Sequence, residues 1–313
     1  RWREMPVNVS VVRTWAGDPY TSPSTFSNPV ILSNGWIVVA VLIPGDTYQS
    51  GFIYFYKSTD GGATFTQLCY INLGFVGPHI DFKLFATGTT VKVFYYASTH
   101  CVQSFDATTV QNVDIGRGTQ LSSLMYRGVL IKESFMDSAG NIVGAIVDLI
   151  DSGDGYYETY PFKITPGMTV SIGPKIGGQQ TYSPSVMVHP LDNGRVLYYF
   201  QGDNDLPKLF SIDTANWNII DSGFQTSFPG SVYDPFWGPG GLLRLPDGRL
   251  AYVTRHSQTR IPAIFVIGSD GLSWSGPYVD PNNTRTKSDI PIFASDIDSN
   301  GKIYIFCTRE GGD

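Results

Sequence analysis

Short apolar runs separated by small polar turns recur along the whole chain. Ile37-Val-Val-Ala-Val-Leu-Ile43 is continuously apolar, while Gly51-Phe-Ile-Tyr-Phe-Tyr-Lys57 and Thr66-Gln-Leu-Cys-Tyr-Ile71 are rich in β-branched and aromatic residues. Runs of this length and composition predict strands, and no long helical periodicity is present. Six times an apolar run ends in a small turn with glycine and another apolar run follows. The glycines are Gly35, Gly88, Gly140, Gly194, Gly248 and Gly301, so successive differences are 53, 52, 54, 54 and 53 residues. Unrelated turns would not keep that register. The spacing predicts one supersecondary unit used six times.

Each unit reads as four strands, A to D. The glycine turn joins A to B, a looser loop joins B to C, and a second tight turn joins C to D. That second turn is clearest at Ser58-Thr59-Asp60-Gly61-Gly62-Ala63-Thr64-Phe65. Its aspartate is suited to accept main-chain N–H groups within the turn, with Phe65 packed beneath as a plug. Weaker copies stand at Ser104-Phe-Asp106, Ser211-Ile-Asp213 and Gly268-Ser-Asp270, each with an apolar or aromatic residue nearby: Val110, Trp217 and Trp274. Four-stranded units repeated six times predict an all-β, six-bladed β-propeller. The expected blades are roughly 24–75, 76–116, 117–175, 176–225, 226–280, and 281–313 with 1–15, forming a single domain over 1–313. The strand predicted at Val7-Asn-Val-Ser-Val-Val-Arg-Thr14 would complete the sixth blade and close the ring.

The pattern Ser58-x-Asp60-x-Gly62-x-Thr64-Phe65 resembles the Asp-box of the sialidase-like β-propellers. That resemblance implies a structural role for Ser58, Asp60, Gly62, Phe65, Asp106, Asp213 and Asp270, on the face away from any ligand. Sialidases use three clustered arginines, a Tyr–Glu nucleophile pair and an aspartic acid/base, and this chain departs from that plan. Its Arg260-Ile261-Pro262 triplet falls in the fifth unit, whereas the family's lies near the start of the fold. A third arginine is not identifiable, and Glu4, Glu133, Glu158 and Glu310 show no recognisable spacing to tyrosine and arginine.

Composition narrows the partners. Of the 313 residues 42% are hydrophobic and 15% charged, which describes a packed protein, and the net charge of −6 comes without any Lys/Arg run. Neither nucleic acid nor membrane insertion is expected. Cys69, Cys101 and Cys307 form no disulfide framework, and the histidines at 79, 100, 189 and 256 share no ligand spacing. No metal or cofactor is expected; Asp151-Ser-Gly-Asp154 and Asp203-Asn-Asp205 are at most weak Ca²⁺ ligand sets. The chain opens at Arg1, with no signal-peptide pattern, and a piece cut from a longer polypeptide or assembly is expected.

Candidate chemistry gathers in the B–C and D–A loops, at the strand ends opposite the tight turns. Tyr182, Asp234, Trp237, His256, Arg260 and Asp289 all fall in these predicted loops. Arg255 and Arg309 end strand B in consecutive units, in Tyr-Val-Thr-Arg255 and Phe-Cys-Thr-Arg309, and predict a clamp for an acidic group. Aromatic faces beside planar polar side chains suit a carbohydrate. Arg255, His256, Arg260, Arg309, Tyr182 and Trp237 are therefore the expected ligand-binding set. Asp234, Asp289 and Glu310 are the catalytic candidates should the protein hydrolyse glycosides, which needs carboxylates about 5 Å or about 6.5–9.5 Å apart. The reading is a glycan-recognition propeller of a secreted or viral or phage adhesion or tail protein, extracellular or on a virion surface. A glycoside hydrolase and a purely structural propeller are the alternatives.

Overall fold

The computed structural model describes residues 25–43, 51–74, 81–125, 127–151, 156–180, 185–201, 208–223, 241–255, 262–279, 292–298 and 300–307. The protein is nearly all-β. Among the described residues its strands form six sheets that follow chain order except for the short strand Val113–Asp114, and paired strands are antiparallel apart from that one. The fourth sheet shows the unit plainly: Ser185–Pro190, Val196–Gln201, Lys208–Asp213 and Asn218–Asp221 pair in that order. The fifth repeats it with Gly241–Arg244, Leu250–Arg255, Pro262–Ile267 and Trp274–Val279. The sixth contributes two strands among the described residues, Ile292–Ile297 and Ile303–Cys307.

The six spaced glycines occupy equivalent A–B turns. All six have a positive φ, from +61° at Gly88 to +84° at Gly248. A side chain resists that left-handed conformation, so the turn chemistry selects glycine at each repeat. Four of the turns share one hydrogen bond: the N–H of Gly35, Gly194, Gly248 and Gly301 donates to the carbonyl three residues earlier at 2.9–3.2 Å.

The chain divides into two compact units. Arg1–Tyr126 with Ser138–Asn141 and Ile164–Val170 forms the first; the second is Arg127–Asp137, Ile142–Lys163 and Ser171–Asp313. In the first unit, strands alternate side chains between the two faces of a sheet. Val38, Ala40, Leu42, Ile53 and Phe55 of the first sheet therefore pack on Phe82, Leu84, Val91, Val93 and Tyr95 of the second. The Phe55 and Phe105 rings meet edge on at 4.9 Å, and the Ser33 N–H donates to the Gly88 carbonyl at 3.0 Å, joining the two A–B turns. At the turn 138–141, Gly140 accepts from Lys92 Nζ at 3.2 Å.

In the second unit the fourth sheet is buried on both faces. Val196, Tyr198 and Phe200 pack with Val143, Ala145 and Val147, while Leu197 and Tyr199 pack with Leu250, Tyr252 and Phe265. The buried tyrosines stay satisfied: Tyr198 OH donates to the Gly144 carbonyl at 2.9 Å, and the Tyr199 and Tyr252 hydroxyls bond each other at 2.7 Å. Each fully buried aliphatic or aromatic side chain stabilises the stack by about 1.5–3 kcal/mol.

The outer edge of the first sheet carries an addition. Val113–Asp114 runs parallel to Thr66–Gly74, and after a short turn Thr119–Gln120 pairs back onto His100–Asp106 of the second sheet. Residues 112–120 are thus a strap shared by two sheet edges. Asn112 N and Ile115 N donate to Leu68 O and Tyr70 O at 2.6 and 2.9 Å, and the buried Tyr95 hydroxyl donates to the Arg117 carbonyl. An otherwise open edge is covered.

Candidate functional site

The two ends of the strands differ in chemistry. At the turn end, polar groups are consumed locally. Asp60 Oδ1 accepts from Thr64 N at 2.9 Å and Ser58 Oγ at 2.7 Å, and its Oδ2 accepts from Thr64 Oγ1 at 2.6 Å. Ser58 Oγ in turn accepts the Gly62 N–H at 2.8 Å. These bonds favour the ionised carboxylate and lower its pKa from 3.8 to about 2, the Thr64 hydroxyl contributing most. The weaker copies hold shorter loops: Asp106, Asp213 and Asp270 accept the N–H two residues on, at Thr108, Ala215 and Leu272, at 2.8–2.9 Å. Phe65 is half-buried. Trp217 packs on the core and donates Nε1–H to Ser171 Oγ at 3.0 Å; Trp274 meets Phe265 edge on.

Tyr182, Asp234, Trp237, His256, Arg260, Asp289, Arg309 and Glu310 lie outside the described residues. Arg255 ends the strand Leu250–Arg255, paired with Pro262, at the loop end as its spacing predicts. Asp151 closes the strand Ile142–Asp151, and Asp154, Asp203 and Asp205 lie outside the described residues. Among the described residues no group of three or more His, Cys, Asp or Glu is placed to hold a metal. His100 is buried with Nδ1 2.9 Å from the Leu124 carbonyl, and Cys69 and Cys101 are buried free thiols, Cys69 pushed up to about 12 by burial. None of the three is a candidate nucleophile or base.

Two features were not singled out by sequence. In the first sheet Phe52, Tyr54 and Tyr70 form a half-buried aromatic trio with ring centroids 5.6–6.1 Å apart. Phe52 and Tyr54 alternate along one strand face, and cross-strand register sets Tyr54 opposite Tyr70 and Phe52 opposite Asn72. The Arg117 guanidinium lies over the nearby Gly74, where a Cβ would meet it, and Nε donates to the Asn72 carbonyl at 3.4 Å.

In the third sheet, Tyr156–Ile164 takes in the last three residues of the expected loop Asp151-Ser-Gly-Asp-Gly-Tyr-Tyr-Glu158, because its aromatic pair continues the strand. Glu158 is therefore strand-mounted. It accepts from the Tyr160 hydroxyl and from Lys175 Nζ at 3.0 Å. Asp148 accepts from Arg127 Nη1 at 2.6 Å and from the Gly128 N–H at 3.1 Å. Main-chain pairing fixes Arg127: Val129 bridges Ile146, and Val147 N donates to Gly128 O at 2.8 Å. A Cβ on Gly128 would run into the Val147 carbonyl, so only glycine permits that close approach. The Tyr160 hydrogen bond, then Lys175, holds Glu158 ionised; the same Glu158 bond pushes Tyr160 up to about 12, leaving it a hydrogen-bond donor at neutral pH.

The protein is thus nearly all-β, with several antiparallel four-stranded sheets that pack face on face within each unit. No protein-family model matches the sequence, and no curated protein matches it. Solved structures do. An ulvan lyase, a polysaccharide lyase bound to a GlcA–Rha saccharide, has a TM-score of 0.51 at 13% identity, over 80% of this chain and 66% of that one. An α-L-arabinofuranosidase from Fusarium graminearum, in complex with an iminosugar inhibitor, has a TM-score of 0.46 at 14% identity, covering 90% and 87% of the chains. A lectin from Aleuria aurantia, in complex with Fucα1-6GlcNAc, has 0.45 at 13%, covering 92% and 88%. The lyase likeness speaks for a shared fold and nothing more.

Proposed function

We propose that this chain is a six-bladed, ring-closed propeller of the Asp-box type that recognises glycans at the loop ends of its blades. The six-fold turn geometry and the bonds between neighbouring turns support the architecture. Phe52, the second residue of its strand and so the ring nearest the loop end, carries the functional reading, with Tyr54 and Tyr70 packed behind it. Half-buried rings beside polar groups offer faces to the C–H surface of a sugar and keep its hydroxyls within reach of donors. A glucuronate-containing ligand in the ulvan lyase is compatible with Arg255 and Arg309 forming an acid-recognising clamp here. A glycoside hydrolase is the second reading, and its carboxyl candidates Asp234, Asp289 and Glu310 lie outside the described residues.

The test is retention on an immobilised panel of neutral and uronic-acid oligosaccharides, with release of reducing ends followed in parallel. Tyr54→Ala and Tyr70→Ala should each weaken retention about tenfold or more, a loss of about 1.4 kcal/mol. Arg255→Ala and Arg309→Ala should weaken uronic members selectively. Steady release of reducing ends by wild type would replace binding by hydrolysis.

A further inference from the structure

The third sheet carries two cations and two anions, in the pairs Arg127–Asp148 and Lys175–Glu158 on neighbouring strands, with the Tyr160 hydroxyl donating to Glu158. Ion pairs on a protein surface are commonly worth little and need no purpose. Three details set this group apart. The carboxylates form its floor and the cations its rim: the Asp148 and Glu158 side chains are 14% and 18% exposed, Arg127 and Lys175 37% and 48%. The group stands at the loop end on strands and main-chain-paired backbone, so little ordering remains to be done on binding. Tyr156 and Tyr160 flank Glu158 on one side of its strand, and Gly178 lies opposite Glu158 in the neighbouring strand, where a Cβ would strike the Tyr156 hydroxyl.

Resting on the glycan reading above, we infer that this constellation is a second saccharide subsite, taking a neutral sugar through adjacent hydroxyls. The charges fix the ligand class. An anion drawn to Arg127 and Lys175 would be held against Asp148 and Glu158, with no net charge to favour it. A hydroxyl both donates and accepts, so it inserts between a carboxylate and its cation and leaves both partnered. Two such pairs, on neighbouring strands of one sheet, offer places for two hydroxyls of one saccharide. The flanking tyrosines supply apolar surface for its C–H groups.

The experiment measures wild type, Glu158→Gln, Lys175→Gln, Tyr160→Phe and Tyr54→Ala against immobilised neutral and uronic-acid oligosaccharides, with melting temperatures recorded for each. Lys175→Gln and Glu158→Gln should each weaken neutral members about tenfold and leave uronic members close to wild type. Lys175 is half exposed, so its variant folds and carries the test even where Glu158→Gln does not. If the neutral members bind these variants as they bind wild type, while Tyr54→Ala loses them, the subsite is wrong and the glycan reading stands. If wild type retains no member of the panel, both fall. A lower melting temperature with unchanged binding in Lys175→Gln and Tyr160→Phe reduces the constellation to a structural cross-link and overturns the inference.

Discussion

Asp60 does its work as an anion, and that gives the turn a pH signature. Its folded pKa of about 2 lies below the ordinary 3.8, so the unfolded chain takes up the proton first as pH falls. The stability it supplies is complete above about pH 4 and is lost as pH drops through about 2. Chemical denaturation across that range should show the gap between wild type and Asp60→Asn closing toward pH 2, with glycan retention at neutral pH unchanged. A gap that persists at pH 2 would mean the charge is not what closes the turn. The glycines make a separable prediction. Nothing lies within 4 Å of a Cβ on Gly35 or Gly194, so Gly35→Ala and Gly194→Ala meet only the backbone penalty of positive φ. Each should cost about 1–2 kcal/mol, equally, as read from denaturation midpoints. At Gly248 a Cβ would also press on Asp192, the partner of Arg244, and Gly248→Ala should cost more. These residues were legible in the sequence because their reason is local: a turn of fixed conformation admits few side chains.

Elements were legible in proportion to their length. The runs Ile37–Ile43 and Gly51–Ser58 declare themselves because a strand buried on one or both faces needs many apolar residues in succession. The strap does not. Val113–Asp114 and Thr119–Gln120 are two residues each, too short for any period, and their pairing partners lie far away in sequence. The third-sheet constellation was hidden for the same reason. Arg127, Asp148, Glu158, Tyr160 and Lys175 are gathered by strand pairing, and no spacing along the chain announces it. Glu158 even stood in a predicted loop. Beside its main-chain pairing, the strap is tied to the core by the bond from the Tyr95 hydroxyl to the Arg117 carbonyl. Tyr95→Phe should cost about 1 kcal/mol, and the loss should be local. Hydrogen exchange should quicken at Asn112, Ile115 and the amides between 113 and 120, with the strands Phe82–Thr87 and Thr90–Tyr96 unchanged. Quickened exchange throughout the first unit would show that Tyr95 supports the core and not the strap.

At the scale of the molecule, the repeat predicts a dependence that no single sheet carries. The fourth sheet is covered on both faces by neighbours, and the first unit packs its two sheets through one face of each. A sheet left with one apolar face bare loses the burial that stabilises it, since four short strands do not hold alone in water. The sixth sheet contributes two strands among the described residues, and the run 7–14 is the strand the sequence offers to complete it. If that run closes the ring, removing residues 1–15 should lower the melting temperature of the entire chain and broaden the transition, because both ends of the repeat array would fray together. The intact chain should melt in one transition. A stepwise loss confined to the truncated sheet, or a truncated chain as stable as the whole, would argue instead for an open stack whose units are stable without closure. Adding the peptide 1–15 in trans distinguishes the causes: recovery of the melting temperature points to strand pairing at the seam, and no recovery to a role for residues 1–15 elsewhere.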